Sequence, residues 1–392
     1  GLITTLLEMC FADVNLGANF DLSGLGESDT VKALFNENIA LVFQADASVE
    51  SAFAANNITI VKIGEVAEGD TVSVKNNNTS FDFSVADLRD VWYKTSFLLD
   101  SKQSKNGTAL DRYTNYKNQP LTYTFPSQFT GKLTDHRAIS TRPKAAIIRE
   151  KGSNSEREMA NAMYLAGFDV KDVHMTDLIA GRETLEDIQF IGAVGGFSNS
   201  DVLGSAKGWA GAFLYNEKAN AAIKKFFERE DTLSVGICNG CQLFMELELI
   251  NPDHDTHGKM HHNKSHKHES IFTSVTIQQN NSVMLSTLEG TTLGVWVSHG
   301  EGKFVLPYGE ERYHIVGKYG YAEYPANPND SDYNTAMMCD STGRHLVTMP
   351  HIERSTFPWN WAHYPERGQK DEVSPWLEAF VNARKWIENK KH

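Results

Sequence analysis

One stretch of the chain, LSVGICNGCQLFMEL, has the residue types of a nucleophile held on a tight turn. An apolar strand pattern runs into Gly236-Ile237-Cys238-Asn239-Gly240 and then directly into a helical pattern. This is the G-x-nucleophile-x-G arrangement, with cysteine in the serine position. Glycines flank the nucleophile because so tight a strand-to-helix reversal leaves no room for side chains there. The turn thrusts Cys238 out at the carboxyl edge of a sheet and at a helix N-terminus, where partial positive charge favours thiolate. A free thiol has a pKa near ~8.5, so a downward shift is what makes it a strong nucleophile at neutral pH. Two other readings of these residues stand beside this one: a buried structural cysteine, and a redox pair Cys238-x-x-Cys241. Cys241 lies one turn into the helix and is expected to face inward beside Leu243 and Phe244. A zinc site would need a second C-x-x-C, and none follows.

A thiol that attacks an amide needs a base near the sulfur and a carboxylate that orients the base. In Met349-Pro350-His351-Ile352-Glu353-Arg354 the His and Glu are two apart, and on extended backbone such residues project to the same side. The later His363-Tyr364-Pro365-Glu366 has an i, i+3 spacing with no strand leading into it, and reads as a C-terminal loop. The tetrahedral intermediate needs preorganised N–H donors, each worth about 3–4 kcal/mol. The backbone N–H of Asn239 is one candidate. Gly195-Gly196-Phe197, where glycine lets the backbone approach a substrate closely, supplies another. His254, His257, His261, His262, His266 and His268 invite a metal site. No cysteine or carboxylate accompanies them at a recognised spacing, so the reading is a solvated surface loop and no metal.

From Pro143 onward, strands alternate with helices: KAAIIRE, an amphipathic SNSEREMANAMYLAGF capped by Ser153 or Ser155 and closed by Gly167, then FDVKDVHM, FIGAVGG, ANAAIKKFFERE and LSVGI. That alternation predicts a doubly wound parallel sheet of the flavodoxin-like α/β class. After about residue 270 the pattern is more β-like (IFTSVTIQ, GVWVSH, RHLVTMP) before a last helix, SPWLEAFVNARKWIE. Residues 1–101 predict a thinner α/β layer. It has an opening helix, strands at 39–45, 58–66 and 71–75, and a helix in VADLRDVWYKTSFLLD with Val85, Leu88, Val91, Trp92 and Ser96 on one face. The chain opens inside a helix, and this layer reads as the tail of a larger domain. The polar stretch 102–142 reads as a connector wrapped over a surface, leaving 143–392 as the domain that carries the chemistry.

Composition narrows the class further. A chain of 392 residues suits two domains, and 41% apolar content excludes a mainly disordered chain. No apolar run approaches the roughly 20 residues that cross a bilayer, so no membrane partner is expected. The first residues lack the basic start and cleavage site of a signal peptide. A net charge of −13 without a basic tract argues against nucleic acid as partner. Four cysteines make no disulfide framework, which points to a reducing compartment, by default the cytoplasm.

GICNGCQ resembles the G-x-C-x-G-x-Q signature of class I (triad) glutamine amidotransferases. Its Asn-Gly-Cys-Gln version is similar to that of the large, single-chain phosphoribosylformylglycinamidine synthase family. Other tracts resemble the same family. RPKAAIIREKGSNSEREMANAMYLAGFDVKDVHMTDL looks like the opening of its amidotransferase domain, and VGGFSNSDVLGSAKGWA like its G-G-F-S-Y-G-D segment, with Asn199-Ser200 in place of Tyr-Gly. WVSHGEGKF resembles its H-G-E-G segment, and MPHIERS its M-P-H-P-E-R tract, with Ile352 in place of proline. NPNDSDYN resembles its N-P-N-G-S turn, with Asp330 in place of glycine. The likeness runs from about residue 143 to the C-terminus. GLITTLLEMCFA and LRDVWYKTSF resemble parts of the family's second synthetase-like half, related to aminoimidazole ribonucleotide synthetase.

The resemblance implies that Cys238 is the nucleophile, His351 the general base and acid, and Glu353 its orienter. It implies that Gln242 and the Ser298-His299-Gly300 segment hold the α-amino and carboxylate groups of glutamine. The substrate implied is glutamine, and the partner is the remaining, N-terminal synthetase part of the same enzyme. No cofactor is implied for the glutaminase domain. ATP and Mg²⁺ serve the complete enzyme, which converts formylglycinamide ribonucleotide to formylglycinamidine ribonucleotide in purine biosynthesis. The chain has no G-x-x-x-x-G-K-[ST] loop, and most of the ATP site is expected outside it. Two rivals remain: another cysteine hydrolase on the same elbow, and a docking fragment whose triad is silent without its partner.

Overall fold

The computed structural model describes residues 1–118, 122–133, 135, 139, 141–365 and 370–390. They form two compact units, Gly1–Lys102 and Gln103–His392. In the first, α1 (Leu2–Cys10) precedes β1 (Leu16–Asp21), α2 (Thr30–Leu34), α3 (Val49–Ala55), β2 (Gly64–Glu68), β3 (Thr71–Asn76), β4 (Thr79–Ser84) and α4 (Val85–Gln103). The sheet order is β2-β1-β3-β4, with β1 parallel to β3 and the other pairs antiparallel. Alternation along β3 turns Val72 and Val74 inward, where they meet Ile3, Leu6, Leu22, Leu34 and Val85.

Two expected strands differ. Residues 39–45 are irregular with Ile39 and Leu41 exposed, and of 58–66 only the last three residues join a strand, β2. Apolar and β-branched residues give strand propensity, but a strand exists only where a ladder partner lies beside it. β2 pairs only with β1 among the described residues. On α4, Val85 is buried as expected, whereas Val91 and Trp92 are exposed and Arg89 is buried.

The second unit opens with α5 (Thr108–Asn115) inside the polar stretch expected as a connector. Described residues of that stretch contact their own unit: Arg112 pairs with Glu269 at 2.8 Å, and Thr124 bridges to Thr292. Next come β5 (Lys144–Arg149), α6 (Glu156–Ala166), β6 (Asp169–His174), α7 (Met175–Ala180), β7 (Phe190–Ala193), α8 (Lys207–Leu214), α9 (Glu217–Glu228), β8 (Leu233–Ile237) and α10 (Asn239–Glu246). The remainder is β9 (Lys259–His261), β10 (Glu269–Ile277), β11 (Thr292–His299), β12 (Lys303–Val305), β13 (His314–Tyr319), β14 (Thr335–Cys339), β15 (His345–Thr348) and α11 (Trp376–Lys390).

Nine strands form one sheet in the order β11-β10-β13-β14-β15-β8-β7-β5-β6. From β15 to β6 all pairs are parallel, with the 2-1-3-4-5 order of the flavodoxin-like class once β5 is counted first. The residues after 270 extend this sheet with antiparallel strands. Helices gather in two groups, α6 with α11, and α7 to α10 together, as a doubly wound sheet requires. Strands β7 and β8 are buried at every position, which is the mark of a sheet covered on both faces. Gly167 closes α6 at φ 104°, and Ser155 stands at the N-cap, but its side chain makes no capping hydrogen bond. Ser153 Oγ donates to the Glu150 carbonyl, and Ser155 Oγ accepts from the Gly195 N–H at 3.4 Å.

Candidate active site

β8 ends at Ile237 and α10 begins at Asn239, so a single residue makes the reversal. Cys238 takes φ 52° and ψ −105°, a strained conformation for an L residue, and its N–H is held by the Thr348 carbonyl at 2.8 Å. A Cβ added to Gly236 would lie 2.6 Å from the Gly240 oxygen, and one on Gly240 would overlap the Ala193 carbonyl. The elbow therefore admits only glycine on either side.

The ends of three adjacent parallel strands converge here. Gly195 follows β7, Cys238 follows β8 and His351 follows β15. A Cβ on Gly195 would come within 2.8 Å of His351 Cε1 and 3.5 Å of Cys238 Cβ. His351 and Glu353 are buried, and His351 Nδ1 lies 2.7 Å from Glu353 Oε1. Extended backbone was expected to bring these two together. Glu353 instead sits in a short 3₁₀ turn, Ile352–Arg354, anchored by the His351 N–H on the Trp296 carbonyl at 2.8 Å.

The electrostatics follow from that burial. Desolvation alone would push the Cys238 thiol up. The positive charge of His351 outweighs it, helped by the His299 imidazole, and brings the thiol down to about 6. Burial works against a charged His351 as well, but Glu353 and then the Cys238 thiolate raise it to about 10. Glu353, although buried, is held below the usual carboxylate range by His351. The site is therefore a thiolate–imidazolium–carboxylate relay at neutral pH. Burial pushes Cys241 well above the ordinary thiol range and Cys339 up to about 12, and it raises Cys10 too. All four cysteines are free, and with Cys241 held as a thiol the redox-pair reading loses its second thiolate.

Of the three N–H groups at 195–197, the Phe197 N–H donates to the Gly152 carbonyl at 3.0 Å and the Gly195 N–H to Ser155. Gly196 keeps its N–H without an acceptor among the described residues, at φ 120°, where a side chain would be strained. The Asn239 N–H opens α10, where the helix itself offers no acceptor. The Asn239 side chain is occupied: Oδ1 accepts from the Ser198 N–H, and Nδ2 donates to Gln242 Oε1 at 2.9 Å. Gln242 Nε2 in turn donates to the Glu301 carbonyl at 2.6 Å, so its amide is clamped at both ends.

A cavity of about 230 Å³ brings Cys238 together with Gly196, Phe197, Gln242, Ser298, His299 and Gly300. The lining includes Asp201 and Glu301; burial, with the nearby Glu301 carboxylate adding to it, raises the Asp201 carboxyl. Lys267, His262, His266 and His268 also line it. Asp201, Glu301 and Lys267 are not singled out by the sequence, and the three histidines read there as part of a solvated loop. Asp201 and Glu301 do lie inside the G-G-F and H-G-E-G segments, so the signal was present.

The histidine-rich stretch is thus not simply a solvated loop. His254 is buried between Tyr308 and Tyr313, His268 Nε2 lies 3.1 Å from Ser298 Oγ, and β9 within the stretch pairs with β12. A mainly polar text hid this because long-range pairing, not composition, tucks the segment in. Among the described residues no group of three or more His, Cys, Asp or Glu is arranged to hold a metal ion. Glu366, of the second His–Glu tract, lies outside the described residues. A larger cavity, about 680 Å³, opens on the base side of the relay beside His351, Glu353, Arg354 and Trp296.

Residues 142–387 match the family described as CobB/CobQ-like glutamine amidotransferase domain. The chain is 38% identical to the probable chloroplastic/mitochondrial phosphoribosylformylglycinamidine synthase of Arabidopsis thaliana, across 99% of this chain and 29% of that protein. It is 35% identical to the Homo sapiens phosphoribosylformylglycinamidine synthase, across 98% of this chain and 31% of that protein. The chain thus spans about three tenths of the length of these curated relatives. Among solved structures, a chain of PurLQS from Thermotoga maritima aligns over 64% of this chain and 100% of its own, at 24% identity and a TM-score of 0.49. Among the described residues, no helix is long and apolar enough to cross a membrane.

Proposed function

The chain belongs to the CobB/CobQ-like glutamine amidotransferase family, and from that premise we propose that it is the glutaminase part of a phosphoribosylformylglycinamidine synthase. The observation that carries this reading is the buried group of Cys238, His351 and Glu353, whose Cys238 opens into a cavity lined by Gly196, with no acceptor for the Gly196 N–H among the described residues.

The Cys238 thiolate attacks the γ-amide carbon of glutamine, and the Asn239 and Gly196 N–H groups receive the oxyanion. His351 gives its Nε2 proton to the amide nitrogen, the C–N bond breaks, and ammonia leaves a γ-glutamyl thioester on Cys238. Water, deprotonated by His351, attacks the thioester carbon. The C–S bond then breaks, glutamate departs, and the ion pair is restored. Asp201 and Glu301 match the α-ammonium of a free amino acid, and Lys267 and His268 match its α-carboxylate. Ser298, His299 and Gly300 line the same cavity, and Gln242 braces the Glu301 backbone.

Ammonia would pass to the synthetase part of the longer enzyme, the proposed partner, where ATP and Mg²⁺ would activate formylglycinamide ribonucleotide. In this reading most of the ATP and Mg²⁺ site belongs to that synthetase part, and the residues of this chain supply the ammonia. The cytoplasm remains the proposed compartment, on the strength of four free cysteines, although the Arabidopsis relative carries an organellar name.

The test is a diazo-ketone analogue of glutamine, with the added mass located by peptide mass spectrometry. Labelling of Cys238 that excess glutamine blocks is the expected result. Labelling of Cys241, or of no cysteine, would overturn the reading.

A further inference from the structure

The turn at 327–331, Asn-Pro-Asn-Asp-Ser, has no part in the relay, yet its Asn329 is fully buried. Asn329 Oδ1 lies 2.7 Å from His299 Nε2, and Asn329 Nδ2 donates to Tyr319 Oη at 2.8 Å. Burial keeps the Tyr319 phenol protonated far above neutral pH, so it is a neutral, fixed anchor. The turn is tied down as well: the Ser331 N–H donates to Asn327 Oδ1, and Ser331 Oγ accepts from the Phe304 N–H at 3.1 Å.

His299 has little freedom. It is 2% exposed, and a Cβ on Gly302 would overlap its Cδ2 and Nε2, so that edge of the ring is packed against backbone and Asn329. The other nitrogen, Nδ1, is buried without a hydrogen-bond partner among the described residues. Such an orphan calls for a purpose in a network otherwise satisfied. The ring lines the Cys238 cavity, and of its two nitrogens only Nδ1 is left to act there.

We propose that Asn329 is a positioning residue for the nucleophile: it holds His299 by Nε2 and so keeps Nδ1 turned toward the Cys238 sulfur. His299 then serves the sulfur as a second imidazole beside His351, rather than the α-groups of glutamine. This agrees with the share His299 takes in drawing the thiol down. The motif at 327–331 thereby gains a role that acts through another residue.

The kinetic half of the test rests on the glutaminase reading; the thiol half does not. The 392-residue chain is alkylated with iodoacetamide from about pH 5 to about pH 9, and modification of Cys238 is followed by mass spectrometry. Asn329→Ala is expected to raise the apparent pKa by about one unit, an approximately tenfold slower reaction on the acid side of the profile. The acid limb of kcat/KM for glutamine should move with it, with KM changed by no more than about threefold. Asn329→Asp, which keeps an acceptor for Nε2, should return the limb toward its original position. Should Asn329→Ala fail to fold, Tyr319→Phe removes the anchor of the Asn329 amide and should give the same shift at smaller size. An unchanged alkylation profile would overturn the proposal. So would a raised KM with kcat kept, since that places His299 on the substrate. If glutamine fails to protect Cys238 in the unaltered chain, the glutaminase reading falls while the alkylation profiles still decide the role of Asn329.

Discussion

The unit Gly1–Lys102 packs four strands on a small apolar core around Leu6, Leu22, Val72 and Val74, and leaves Ile39, Leu41 and Phe35 exposed. The unit Gln103–His392 buries a thiolate, an imidazolium and a carboxylate at the carboxyl ends of adjacent parallel strands in a nine-stranded sheet. Burying one unpaired charge is prohibitive, but three that compensate one another can persist when the surroundings over-determine their places. The strained Cys238 has the same requirement. Chemistry of this kind therefore sits where two parallel strands are buried on both faces, and not on a sheet with a single small core.

That contrast can be broken most severely at the elbow itself. Cys238→Ala is expected to lower glutamate release by on the order of 10⁴-fold or more, whereas Cys241→Ala, a thiol that never ionises at neutral pH, should retain activity. Loss in both variants would mean that the two cysteines act as a pair.

Acidity supplies the next test. Cys238 must be ionised and His351 protonated, so kcat/KM for glutamine should rise through about pH 6 and fall through about pH 10. His351→Asn removes the main cause of the lowered thiol, and the alkylation profile of Cys238 should move up toward the free-thiol value of ~8.5. A profile that stays at about 6 would assign the shift to something other than the relay.

The smallest effect at the site is expected from the other unit. Leu6→Ala should cost about 2–5 kcal/mol in the stability of Gly1–Lys102, read as faster hydrogen exchange in β1 and β3. Cys238 alkylation should not change. If it slows, the two cores are not energetically separate and the contrast needs revision.

Much of the catalytic unit was legible because its signals are local. The elbow sets two glycines around one cysteine, and in this chain His351 and Glu353 stand only two residues apart. Alternating strand and helix text carried the doubly wound parallel class, while the strand order is set by the pairings themselves. What misled was text whose meaning depends on distant partners. Residues 39–45 have strand composition but join no strand pairing among the described residues. The histidines near 262–268 look like a solvated loop until the sheet places them on the wall of the Cys238 cavity. The His351–Glu353 contact was anticipated on extended backbone and is made on a 3₁₀ turn.

From the string of residues follow the glycine-flanked elbow at Cys238 and the close spacing of His351 and Glu353, because covalent neighbours and steric exclusion act over a few positions. The charge states of those groups do not follow from it. They depend on desolvation and on which side chains face the sulfur, and those are set by strands that lie far apart along the chain. The acidic pair Asp201–Glu301 is such a case, its members 100 residues apart yet lining one cavity. The chain through Tyr319, Asn329 and His299 is another, legible only once the antiparallel half of the sheet has closed beside the parallel half.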